Sequence, residues 1–171
     1  MRYIVSLVFI LLLLSGCKKN SGTGDTGSVI FQYEYTNNAT VSSHNGWLLD
    51  NTGKVSRFQK KATWVFPDKD GSISESDMQK NMAACDSVMA KVSTSDFTNY
   101  AGKALSCVDG PMTPITNPTS GAGVYIYAFY QFDSGNKKYK QVILSMYGDQ
   151  QQLNISAFSS TVVDWMSKIY G

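Results

Sequence analysis

Val124-Tyr125-Ile126-Tyr127-Ala128-Phe129-Tyr130-Gln131-Phe132, then Asp133-Ser134-Gly135-Asn136, then Tyr139-Lys140-Gln141-Val142-Ile143-Leu144-Ser145-Met146-Tyr147 is the stretch on which the fold turns. Two runs rich in aromatic and β-branched residues around a polar, glycine-containing turn read as a β-hairpin. Gly148-Asp149-Gln150 turns the chain again into Leu153 to Phe158, completing a meander. On the middle strand Val142, Leu144 and Met146 alternate as a core face, and Leu153, Ile155 and Ala157 agree with them. The opposite face then carries Tyr139 and Tyr147 beside Tyr125, Tyr127 and Phe129. These five form the expected binding face, because large exposed aromatic patches are uncommon on monomers. The plainer alternative is cross-strand tyrosine pairing, or a face covered by the N-terminal strands.

Upstream, Val29-Ile30-Phe31-Gln32-Tyr33-Glu34-Tyr35-Thr36 has apolar or aromatic residues at every odd position and mostly polar ones between, the period of a half-buried strand. Trp47-Leu48-Leu49, Asp50-Asn51-Thr52-Gly53 and Lys54 to Phe58 read as a hairpin whose turn ends on a glycine. Thr63-Trp64-Val65-Phe66 adds a short strand before Pro67. From Ser74 the period changes: Met78, Met82, Cys85, Met89 and Val92 fall on one helical stripe, and Ser74 with Asp77 supplies a cap. A second helix from Ser95 buries Phe97, Tyr100, Ala101, Ala104 and Leu105, making an αα-hairpin across Ser93-Thr94. Ser106 to Gly123 is a long loop with Pro111, Pro114 and Pro118, the best loop for a binding role. A last helix, about Thr161 to Tyr170, turns Val162, Trp165, Met166 and Ile169 inward. The expected class is α+β, an antiparallel sheet with helices on one face, in the order β-β-β-α-α-β-β-β-α.

The chain begins Met1-Arg2, continues apolar to Leu14 apart from Ser6, and reaches Leu14-Ser15-Gly16-Cys17. A positive start, an apolar core and small residues make up a secretory signal peptide, and about 12 apolar residues are too few to span a bilayer. Leu14-Ser15-Gly16-Cys17 resembles the lipobox of bacterial lipoproteins, which implies cleavage before Cys17 and its acylation. The expected organisation is a signal peptide over 1–16, a flexible Gly/Ser/Thr tether over 17–28 and one globular domain over 29–171. Lys18 stands where the resemblance would put aspartate for inner-membrane retention, so it implies the outer membrane, with the periplasmic or exposed side open. Without Arg2, the mature chain balances 14 basic against 13 acidic side chains, which offers no electrostatic case for nucleic acid. The basic clusters Lys54/Arg57/Lys60/Lys61 and Lys137/Lys138/Lys140 read as solvated faces.

Several motifs are decoys. Gly22-Thr23-Gly24-Asp25-Thr26-Gly27 spells a dinucleotide fingerprint but lacks the preceding strand and following helix that its chemistry needs. Asp68-Lys69-Asp70-Gly71 resembles a calcium loop, yet its first position is Phe66, leaving too few oxygens, so it reads as a turn feeding a capped helix. An oxidising exterior favours a Cys85–Cys107 disulfide, while the helical spacing holds the two apart; the alternative is two buried thiols. His44, the only histidine, rules out a His-rich metal site and sits in a polar stretch that reads as a loop entering a strand. No catalytic residue, cofactor or metal ligand emerges.

The expected function is a non-enzymatic binding or structural module, anchored to the bilayer through acylated Cys17, with a glycan or another envelope protein as partner. A hydrolase with a composite active site is the alternative, which a deep pocket with converging polar groups would favour. A third reading is an inhibitor or immunity-like protein presenting the proline loop.

Overall fold

The computed structural model describes residues 25–38, 42–59 and 62–169. Cys17, the signal peptide, most of the tether, Lys60, Lys61 and Tyr170 lie outside the described residues. Thr26–Ser28, expected as tether, form a 3-10 turn seated against the second helix and the sheet.

The strands are β1 (Val29–Asn37), β2 (Ser43–Leu49), β3 (Lys54–Gln59), β4 (Ser72–Ser74), β5 (Ser87–Lys91), β6 (Val124–Asp133), β7 (Lys138–Gly148) and β8 (Gln152–Leu153). The helices are α1 (Glu75–Ala83), α2 (Thr94–Leu105) and α3 (Ser159–Ser167). All eight strands join one antiparallel sheet in the order β4-β7-β6-β1-β2-β3-β5, with β8 beside β4 along the outer edge of β7. The class is α+β, and β1 is central. The β2–β3 turn forms as its residues dictate: Gly53 takes φ +80°, and Asp50 Oδ1 accepts from the Thr52 and Lys54 amides.

The element order and the αα-hairpin need correction. Ser74 caps α1 by accepting from the Asp77 amide, but α1 stops at Ala83 and β5 intervenes before α2. Met89 and Val92 continue a helical spacing, yet the five residues of β5 also suit a strand, and pairing with the open edge of β3 decides between them. The short strand expected at Thr63 to Phe66 does not form: Thr63 lies in a turn and Trp64 to Phe66 join no ladder. Of Leu153 to Phe158 only Leu153 belongs to a strand, the two-residue β8, and Leu153 and Ile155 are exposed. Here the long loop runs alongside instead: Thr113 and Ile155 amides donate across to Leu153 and Pro111 carbonyls, and Thr116 exchanges two bonds with Gln151.

Helices cover both faces, not one. On the first, α2 and α3 bring Phe97, Ala101, Ala104, Val162 and Met166 onto Val29, Phe31, Trp47, Leu49, Phe129, Val142 and Leu144. On the second, Trp64 and α1, through Met78, close over Ile30, Leu48, Phe58, Ile73 and Tyr130. The chain from β4 through α1 to β5 links the two edges of the sheet across this second face. Burial on both faces is why the polar positions of β1 do not simply face water.

Candidate functional site

The expected aromatic face is not one surface. Across β6 and β7, Tyr127 pairs with Ser145 and Ala128 with Ile143, so Leu144 is the extra residue of a bulge. Because side chains alternate with period two, that single insertion exchanges faces for everything beyond it. Tyr147 thereby joins Val142 and Leu144 on the α2/α3 side, and Met146 crosses to the other side opposite Ile126. Phe129 is fully buried in the first core, and Tyr139 packs into the second.

Tyr125, Tyr127 and Tyr147 remain together, joined by Tyr33 and Tyr35. Their ring centroids step at 4.5 Å from Tyr35 to Tyr125, 4.7 Å from Tyr125 to Tyr147 and 5.1 Å from Tyr33 to Tyr127. Tyr125 and Tyr147 lie within 7° of parallel. Ring faces are thus spent on one another, and the ladder offers mainly edges and hydroxyls; Tyr147 alone is well exposed, at 41 %. Burial, then neighbouring tyrosines, pushes Tyr33 up to about 12, and burial followed by Tyr147 also raises Tyr127. Neutral phenols at ordinary pH make this a structural ladder. The proline loop closes its end: the Tyr35 hydroxyl donates to the Ala122 carbonyl, and Gly123, at φ +78°, leaves room for the Tyr35 ring. Asp149 accepts from the Ala122 and Gly123 amides, so the end of the loop is pinned to the sheet.

The two cysteines are not joined to each other. Cys107 lies in the first core and Cys85 against the second, so the sheet separates them. Burial pushes the Cys107 thiol up, which makes it a packing residue.

The concave site lies on the second face, at the Asn37 end of β1. Glu34 points into this side from β1, and His44, two strand positions further along the ladder on β2, meets it; His44 Nε2–H donates to Glu34 Oε1 at 2.8 Å. Gln32 Nε2 donates to the other oxygen, Oε2, at 2.6 Å. Both partners are almost wholly enclosed, with side-chain exposures of 10 % for His44 and 6 % for Glu34. Phe58, Trp64 and Phe66 ring the imidazole at centroid distances of 5.1, 5.4 and 4.9 Å. Gly46 makes the Phe58 position available, since a Cβ there would stand 2.8 Å from the Phe58 ring. Trp64 and Phe66 are held from α1, whose buried Asn81 both accepts from the Val65 amide at 2.8 Å and donates to its carbonyl at 2.7 Å. Next to Glu34, burial, followed by the charge of Glu34, raises Tyr130, whose hydroxyl accepts from Gln141.

Between this floor and the covering segment opens a cleft of about 760 Å³. Glu34, Thr36, His44, Ile126 and Gln141 line it from the strands, Ala62, Phe66, Pro67 and Asp68 from the covering segment, and Asn38, Ser42 and Ser43 complete it. Asp68 is held below the usual carboxylate range by the Ser72 amide first, with the Asp70 amide adding to it. Its Oδ1 accepts both amides, the turn chemistry expected of the calcium-like motif. Among the described residues no cluster of metal-ligating side chains occurs, and no helix is long and apolar enough to cross a membrane.

Sequence reasoning missed this site because it took His44 for a loop residue and Glu34 for the solvent face of β1. The available signal was the pairing register: once β1 and β2 form a hairpin about residues 38–42, positions 34 and 44 fall on the same face. No protein-family model, curated protein or solved structure matches the chain.

Proposed function

We propose that this chain is a lipid-anchored binding module of the bacterial envelope, tethered through Cys17, whose ligand occupies the Glu34–His44 cleft. The observation that carries the reading is the cleft itself: concave, of small-molecule size, part aromatic and part polar, around a buried ionisable pair. Its position agrees with a tether. The described chain begins at Asp25, just before β1, and Thr36 lies seven residues along that strand, roughly 23 Å away at about 3.3 Å per residue. A module held at the Val29 end places the cleft at the opposite end of β1 from its anchor. The tyrosine ladder, with ring faces already engaged, supports the same end of the sheet and is a lesser contact surface.

Two measurements test this. Cys17→Ala should release the protein from the membrane fraction and abolish palmitate labelling; a variant still sedimenting with membranes would refute the anchor. Thermal-shift screening of envelope-derived small molecules should find a ligand that raises Tm of the wild type and not of Ile126→Trp, which fills the cleft floor. A ligand that stabilises both equally would place binding elsewhere.

The hydrolase alternative gains one observation, the carboxylate-oriented imidazole, since a base held by a carboxylate is half of an acid–base catalytic group. The hydrogen bonds of Glu34 and His44 run to each other and to Gln32 among the described residues, which fits a structural floor better than a catalytic relay. Turnover of a cleft ligand that Glu34→Gln abolishes would reverse that preference.

A further inference from the structure

Resting on the reading of the cleft as the binding site, we infer that its ligand is a polyhydroxylated ring, a saccharide unit. The described lining carries no lysine or arginine of its own, although Lys138 and Lys140 stand near enough to lower Asp68 in its wall. The Glu34 carboxylate is committed on both oxygens, one to His44 and one to Gln32, so it is not held out to a cation. What remains on offer is apolar surface, neutral hydrogen-bonding groups and the Asp68 carboxylate.

These are arranged as a sugar ring requires. Phe66 is 54 % exposed although it touches His44, so ring surface is open in the cleft it lines together with Pro67 and Ile126. An aromatic face of this kind, negative in its π-cloud, suits the weakly positive C–H face of a pyranose. Around it, Asn38, Asp68 and Gln141 bring planar groups that can bridge neighbouring hydroxyls. Gln141 donates its amide to Tyr130, which leaves its carbonyl oxygen to accept. Asp68 Oδ1 takes two backbone amides, which orients the side chain and leaves Oδ2 for a ligand. A hydroxyl both donates and accepts, so a ring of hydroxyls can serve the carbonyl, amide and carboxylate groups of this lining alike.

His44 supplies the readout, because it is the only histidine and its imidazole NMR signals need no assignment. The full-length protein, made without a histidine tag and held in detergent, is titrated with neutral mono- and disaccharides, and separately with inorganic phosphate and with ethanolamine. At least one saccharide should shift the His44 signals saturably. Phe66→Ala should weaken that binding at least tenfold, while Gly102→Ala, at an open position of α2 over the other face of the sheet, should leave it unchanged. Shifts with phosphate or ethanolamine and with no sugar would overturn the ligand class while sustaining the cleft as the site. A saccharide that binds with equal affinity to wild type, Phe66→Ala and Ile126→Trp would overturn the cleft itself.

Discussion

Breaking the Glu34–His44 pair tests the floor of the cleft most directly. His44→Leu removes the donor 2.8 Å from Oε1 and leaves a carboxylate only 6 % exposed with Gln32 as its remaining partner. Glu34→Leu does the converse, stranding the imidazole and the Gln32 amide in a nearly dry site. Removing one partner of a buried hydrogen-bonded pair that includes a carboxylate costs up to about 3–5 kcal/mol, because the survivor keeps its desolvation penalty. The double variant strands only the neutral Gln32 amide, worth about 1–3 kcal/mol. Both singles should therefore be less stable than the double, and the cycle should show a coupling of at least about 2 kcal/mol in favour of the native pair. In urea, with a slope of roughly 2 kcal/mol per molar for a domain of this size, each single lowers the midpoint by about 1.5–2.5 M and the double by about 0.5–1.5 M. Leucine keeps apolar contact with Phe58 and Trp64, so the aromatic cage should not dominate the difference. Additive singles, or singles costing less than about 1 kcal/mol, would refute the view that this pair is desolvated and coupled.

Asn81→Ala deletes both bonds to Val65 and should cost about 1–3 kcal/mol, with a red shift in tryptophan emission as Trp64 loosens; an unchanged spectrum and midpoint would show that the covering segment is held by packing alone. Gly123→Ala puts a methyl group 2.7 Å from both the Thr36 carbonyl and the Tyr35 ring at φ +78°, and should lower stability by more than about 1 kcal/mol, whereas Gly102→Ala, an open helical position, should be neutral or stabilising. Alkylation without reductant should label Cys85 and Cys107 in the unfolded protein alike, and a mass two hydrogens lighter with no label would restore the disulfide. At alkaline pH the tyrosines work against folding: Tyr33 titrates near 10.0 when unfolded but only about 12 when folded, so the unfolded chain loses its proton first. Stability is then full below about pH 10 and falls as pH rises toward 12; a flat profile in that window would deny the burial of the ladder.

How far the residues alone carry can be judged element by element. The alternation in β1, the Gly53 turn, the Ser74 cap and the inward stripe of Phe97, Ala101 and Ala104 were all legible, because each depends on neighbours within a few positions. β5 was not, because five residues suit either period and only the open edge of β3 chooses. Nor was the Leu144 bulge, which has no local mark and yet moves Tyr147 and Met146 to exchanged faces.

What the sequence by itself determined is the class of the domain, the sites of most turns and helix caps, and a lipobox-like start, since all are written in short-range pattern. Only the tertiary structure decided what each sheet face meets. It covered the second face with Trp64 and α1, drew Glu34 and His44 together there across the β1–β2 ladder, and spent the tyrosine rings on one another. The physical reason is that period two says which residues share a face but not whether that face is left to water. A polar side chain becomes a site only when another segment closes over it.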